Sequence, residues 1–237
     1  MTRTFDRKLF IILIAAFVFT TVIGTLSHEL GHYIVAKSLG YKANIHYAST
    51  DWYDPGTVDS MNAVISKYRK QIEDGASFPG KEKYDRLVHK YSHDDALITI
   101  GGPVQTILTG IIGLILLFVW RNSFRSRQKL TSRQWMLVFI TLFWLRQTAN
   151  LIVWLGVYLV TKRFSYRGDE IRIALMLDLP FWLLAAITGV IGFFVLYVVV
   201  FKFIPQQQRL TFVSSGIVGG VAGYVLWLYL PGPLLLP

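Results

Sequence analysis

The stretch HELGH places His28, Glu29 and His32 within five consecutive residues. On a helix, four residues advance about 400°, which leaves the two imidazoles about 40° apart on one face. That spacing suits a single zinc ion. Two imidazoles and one further protein ligand leave a coordination position open for water, and Glu29, one residue along, is placed to accept the water's proton. The chemistry implied is metal-assisted hydrolysis. The chain contains no Cys, which excludes a thiolate site, a cysteine nucleophile and a disulfide framework, so the remaining ligand must be His, Asp or Glu.

The segment that must position these residues is apolar from Leu9 to about Leu26 and runs without a helix breaker into SHELGHYIVAKSLG, with Gly40 as its stop. The basic start MTRTFDRK resembles the opening of a secretory signal, but no small-residue cleavage site follows, so the segment reads as retained. With 53% hydrophobic and 16% charged residues over 237 positions, and a mean hydropathy of +0.46, the composition argues for a membrane protein. Further apolar runs cover about Leu97 to Trp120, Met136 to Val160, Phe181 to Ile204 and Thr211 to Leu230. Each approaches the roughly 20 residues needed to cross a hydrocarbon core about 30 Å thick. The fold class expected is an all-α polytopic membrane protein with five transmembrane helices. Its parts are residues 1–40 with the HELGH motif, an extramembrane insertion over 41–95, and a four-helix remainder over 96–237.

The formal charge of +10 does not point to nucleic acid, because the basic residues lie mostly in short loops between apolar runs, where they set orientation. Arg3, Arg7 and Lys8 precede the first span; Arg121, Arg125, Arg127, Lys129 and Arg133 follow the second; Lys202 and Arg209 separate the last two. These regions are expected on the cytoplasmic side, with Tyr41 to Asp95, Thr161 to Pro180 and the carboxyl terminus on the other. The insertion is too short for a substantial core of its own. Within it, Met61, Val64, Ile65, Tyr68 and Ile72 have helical spacing, with Ser60 as cap and Gly75 as stop. Tyr84, Leu87, Val88 and Tyr91 form a second amphipathic pattern, SFPG a turn, and YKANIHYAS a short extended piece.

HELGHYIVAKSLGYKA resembles the HELGH segment of the site-2 protease family of intramembrane zinc metalloproteases, including its Ala-Lys pair and Gly, here Ala36, Lys37 and Gly40. The metzincin pattern is excluded, since Val35 and Ser38 stand where it needs Gly and His. Gly102 and Pro103 in GGPVQT are similar to the family's Gly-Pro motif, which implies contact with the substrate backbone; Thr106 stands where the family commonly carries Asn. The family's LDG motif, which supplies its third zinc ligand, is absent as a whole. Asp169, which opens a helix in RGDEIRIALMLDLP, is the leading substitute, with Asp178 and Glu170 as alternatives. By the same resemblance Asn150 would bind substrate or stabilise the oxyanion.

The resemblance thus implies one Zn(2+) held by His28, His32 and Asp169, with Glu29 as the base, acting on a membrane protein or peptide substrate in regulated intramembrane proteolysis. A bacterial plasma membrane with a cytoplasmic amino terminus is the preferred location; no nucleic acid partner is expected, and the oligomeric state stays open. From Leu9 to His28 a helix rises about 29 Å, so the charge bias puts the metal near the noncytoplasmic boundary. The resemblance implies the cytosolic side. Two other readings remain: a membrane-anchored metalloprotease acting on soluble chains, with Glu73 or Glu82 completing the site, and a nonproteolytic adaptor or transporter with a structural metal. Arg146 shares a helix face with Asn150 and reads as the partner of a buried carboxylate or a helix-packing residue, with a catalytic role as the lesser alternative. His89 and His93 read as a solvated face, and Gly219 with Gly223 as a packing motif between helices.

Overall fold

A computed structural model describes residues 5–125 and 128–237. Arg3 and Arg127, two of the residues expected to set orientation, lie outside the described residues. The chain is an all-α polytopic assembly with one small hairpin. Helix α1 (Arg7–Ser38) is followed by strands β1 (Lys42–Ile45) and β2 (Thr50–Tyr53), then by α2 (Pro55–Glu73), α3 (Lys81–Val119) and the short α4 (Arg121–Arg125). The remainder comprises α5 (Ser132–Thr141), α6 (Leu145–Thr161), the short α7 (Asp169–Met176), α8 (Leu183–Val198), α9 (Gln206–Tyr229) and α10 (Pro231–Leu235). Among the described residues five helical stretches are long and apolar enough to cross a membrane: 7–38, 81–119, 132–161, 183–203 and 206–235.

Local chemistry explains most of the boundaries. Asp6 caps α1 by accepting the Leu9 backbone N–H at 3.0 Å, and Gly40, at φ +89°, takes the left-handed turn that ends it. The cap of α2 is Asp54, not Ser60: its carboxylate accepts from the Gly56 N–H at 3.1 Å and the Thr57 hydroxyl at 2.6 Å. Helix α2 therefore starts six residues earlier than its apolar spacing indicates, and Ser60 donates inside it to the Gly56 carbonyl. The Thr57 hydroxyl and the nearby backbone N–H groups also hold the Asp54 carboxyl below its ordinary range.

The extended piece expected after Gly40 is present, and two other elements differ from the sequence expectation. The extended piece after Gly40 is the first strand of an antiparallel hairpin, with Lys42 opposite Tyr53 and Ile45 opposite Thr50. The second amphipathic pattern and the second span form one 39-residue helix, α3, so the expected boundary at Asp95 falls inside it. The third span is broken by a 3-10 turn over Leu142–Trp144 between α5 and α6.

The helices meet where side chains are small, as close packing in lipid requires. Helix α9 lies on α1 through Gly219 and Gly223; a Cβ on Gly219 would come within 2.7 Å of the Phe17 Cβ and 2.8 Å of the Ile14 carbonyl oxygen. The expected GxxxG packing is thus internal. Helix α3 meets α5 at Gly113 and α8 meets α6 at Gly189 and Gly192. Toward the amino-terminal half of α1 these contacts enclose an apolar core of Leu13, Phe17, Val138, Val199, Phe203 and Phe212. Near its carboxyl-terminal end the buried positions turn polar, with His28, Glu29 and His32 facing the bundle.

Gly219→Ala should cost about 1–3 kcal/mol through overpacking and lower the thermal midpoint measured in detergent. Gly220→Ala, which meets nothing within 4 Å, should leave the midpoint unchanged or raise it.

Candidate metal centre

His28, Glu29 and His32 occupy the inward face of α1, with 1%, 5% and 5% of their surfaces exposed. Helix α3 can approach them because neither helix carries a side chain at the crossing. A Cβ on Gly31 would stand 2.4 Å from the Gly101 carbonyl oxygen, and one on Gly101 would stand 2.6 Å from that of Gly31. Gly102 lies directly against the imidazoles, where a Cβ would fall 2.4 Å from His32 Nε2 and 2.7 Å from His28 Nε2.

Each ring is oriented by a hydrogen bond from α3. His32 Nδ1–H donates to the Ile98 carbonyl at 2.7 Å. Thr106 commits its hydroxyl proton to the Gly102 carbonyl at 3.1 Å, so its oxygen accepts from His28 Nδ1–H at 2.9 Å. These partners fix the tautomers and leave both Nε2 atoms as acceptors. The two Nε2 atoms are 3.3 Å apart. Asp169 Oδ2 lies 2.8 Å from His28 Nε2 and 3.4 Å from His32 Nε2. Three lone-pair donors converging in this way are satisfied by a cation. Ligands of a tetrahedral ion with bonds of about 2.0–2.1 Å stand about 3.3 Å apart, so the separations and donor types fit a divalent ion of intermediate softness.

Asp169 arrives from 141 residues along the chain, carried at the start of α7. Ile171, Ile173 and Ala174 bury one side of this helix, and Arg172 reaches Asp95 of α3 at 3.3 Å. Burial would raise the Asp169 carboxyl, but the adjoining His28 and His32 imidazoles, when protonated at Nε2, outweigh it and hold the group well below the usual carboxylate range. Glu170 is raised instead, chiefly by burial and further by the Asp169 charge. Its Oε1 has no hydrogen-bond partner among the described residues.

The Glu29 carboxylate accepts from the Thr50 hydroxyl at 3.2 Å, and the same hydroxyl lies 2.9 Å from the Glu29 backbone carbonyl, which ties β2 to α1. One donor atom from each of His28, Glu29 and His32 lies within 4.8 Å of the others. Glu29 could therefore ligate, but Asp169 is the carboxylate that touches both imidazole nitrogens. A cavity of about 700 Å³ opens beside this group, lined among others by Glu29, His32, Thr50, Trp52, Arg146 and Asp169.

The remaining candidates are distributed as follows. Gly102 and Pro103 are buried in the α1–α3 contact. Asn150 is exposed on α6, and Arg146, one turn earlier on that helix, lines the cavity. Asp178 is exposed beyond the end of α7. Glu73 is exposed and paired with Arg69. Glu82 precedes Ile98 on the same helix by about 24 Å, so neither glutamate completes the site. His89 and His93 are exposed on α3, as a solvated face requires. Sequence reasoning missed Thr50, the Ile98 carbonyl and the Asp95–Arg172 pair. Thr106 was visible only as a departure from the family's Asn.

No family model, curated protein or solved structure matches the chain.

Gly102→Ala should abolish high-affinity binding of a divalent ion by displacing both imidazoles, whereas Gly24→Ala, with nothing within 4 Å, should bind normally. Thr106→Val removes the partner of His28 and should weaken affinity about 10–100-fold. Zinc titration of the purified proteins with a competing chelator checks both.

Proposed function

We propose that the protein is a membrane-embedded zinc metalloprotease, similar in chemistry to the site-2 protease family, that hydrolyses peptide bonds of membrane protein substrates. The observation that carries this reading is the convergence of His28, His32 and Asp169 beside a cavity that Glu29 also lines. A purely structural site would have no need of a free carboxylate and an open cavity next to its ligands.

His28, His32 and Asp169 would hold the ion, which supplies a bound water with a pKa of about 7 and polarises the scissile carbonyl. Glu29, oriented by Thr50, accepts a proton from the attacking water as its oxygen bonds to the carbonyl carbon. The carbonyl electron pair moves onto oxygen. When the C–N bond breaks, Glu29 returns the proton to the leaving amine.

Strand β2 supports a peptide as substrate. It borders the cavity through Thr50, Asp51, Trp52 and Tyr53 and, among the described residues, pairs with β1 alone, so its other edge offers backbone groups to an extended chain. A transmembrane substrate must unwind to use that edge, because helical hydrogen bonds conceal the peptide group. Helix-weakening residues near the cut are therefore favoured. Gly102, packed inside the helix contact, acts on the site through the imidazoles, while β2 reads the substrate backbone.

The cavity lies on the side of the membrane where the Tyr41 to Asp95 insertion emerges, which the basic loops assign as noncytoplasmic. We place the amino terminus in the cytoplasm of a bacterial cell and the site at the outer boundary of the plasma membrane. Reporter fusions after Gly40 and Trp120 should read noncytoplasmic and cytoplasmic respectively; the opposite pattern inverts the assignment.

Glu29→Gln is the test of hydrolysis. It should retain the wild-type zinc content and lose about 10²-fold or more of the cleavage rate on single-span membrane peptides that carry a Gly or Pro within the span. Unchanged cleavage rules out Glu29 as the base. Faster cleavage of unfolded casein than of any membrane peptide favours a protease of soluble chains.

A further inference from the structure

Arg146 stands in the first turn of α6, directly after the 3-10 break in the third membrane-spanning stretch. A guanidinium at membrane depth is costly unless it is paired or faces water. The cavity contains a second arginine, Arg172, whose charge is matched by Asp95 at 3.3 Å. Arg146 has no such match. Its Nε is buried without a hydrogen-bond partner, and no carboxylate lies within ion-pair distance of it among the described residues. Its side chain lines the cavity alongside Glu29 and Asp169.

An arginine retained only to neutralise the surrounding carboxylates would contact one of them. This one makes no such contact, and it lines the space that a substrate enters. We propose that Arg146 is a catalytic residue, donating a hydrogen bond to the carbonyl oxygen of the scissile peptide and strengthening it as negative charge develops there; the proposal rests on the peptidase reading above. Negative charge reaches that oxygen when the water oxygen bonds to carbon and the carbonyl pair shifts, and it leaves when the pair re-forms the carbonyl and the C–N bond breaks. Arg146 transfers no proton in either step. A planar guanidinium suits the task because its donors are fixed and its charge does not titrate. Asn150, expected from the family resemblance to fill this role, lies one turn further along α6 at an exposed position.

The test compares wild type with Arg146→Gln, Arg146→Lys and Arg146→Ala as zinc-loaded, full-length proteins in detergent, on a membrane peptide that wild type cleaves. Arg146→Gln should lower kcat about 10²–10³-fold, with KM changed less than about threefold and zinc content unchanged. A phosphinic peptide of the same sequence should lose affinity by the factor lost in kcat, and free guanidinium ion should partly restore Arg146→Ala. Arg146→Lys, which keeps the charge where Arg146→Gln fails to fold, should fall between the two. Retained kcat overturns the proposal, as does a rise in KM alone, which makes Arg146 a ground-state binding group. Loss of kcat without loss of phosphinic-peptide affinity or guanidinium rescue also overturns it and assigns a structural role. A zinc-loaded wild type that cleaves no peptide defeats the peptidase reading and this proposal together; an active wild type matched by its Arg146 variants defeats only this proposal.

Discussion

At the crossing of α1 and α3, Gly31 and Gly101 leave each helix face bare and Gly102 leaves room for two imidazoles. Everything chemical depends on that clearance. Because α3 comes so near, its Ile98 carbonyl and Thr106 hydroxyl can reach the inner nitrogens of His32 and His28 and turn the outer ones toward a common point. A single methyl group at Gly102 would occupy the space the Nε2 atoms need. Small residues, usually read in membrane helices as packing devices, here also define the binding geometry.

Burying two imidazoles and several carboxylates within an apolar bundle requires compensation, and the protein distributes it over three elements. Helix α3 satisfies the histidines, the hairpin satisfies Glu29 through Thr50, and α7 brings Asp169 under the rings. Helix α7 is short and would be marginal alone. Its apolar side and the Arg172–Asp95 pair fix it against the bundle, so the carboxylate reaches the motif from 141 residues along the chain. The apolar core at the other end of α1 leaves this polar layer to the end where the insertion and the Lys162 to Gly168 loop meet.

The helical architecture was legible because length, hydropathy and periodicity act locally: five long apolar runs give five helices, and HELGH falls on one helix face as its spacing requires. Breaks and continuities were less legible. Nothing in the apolar run from Met136 to Val160 marks the 3-10 turn at Leu142–Trp144, and the amphipathic start of α3 gives no sign that it continues into the span. The site divides in the same way. His28, Glu29 and His32 could be read from four-residue spacing, and Asp169 from its place at a helix start. The orienting roles of Thr50, Thr106 and the Ile98 carbonyl arise from tertiary packing, and a carbonyl carries no sequence signature at all. Arg146 and Asn150 share one helix face in the sequence, but only the surrounding helices decide which of them borders the cavity.

The central claim is that His28, His32 and Asp169 converge on one divalent ion. X-ray absorption at the zinc edge of the purified, zinc-loaded protein tests it most directly. The account predicts one bound zinc whose nearest shell contains two imidazole nitrogens and a carboxylate oxygen at about 2.0–2.2 Å, with the imidazole signal lost in a His28→Ala, His32→Ala double variant and the shell altered in Asp169→Asn. Zinc absent from the folded protein, or a shell left unchanged by both variants, would contradict it.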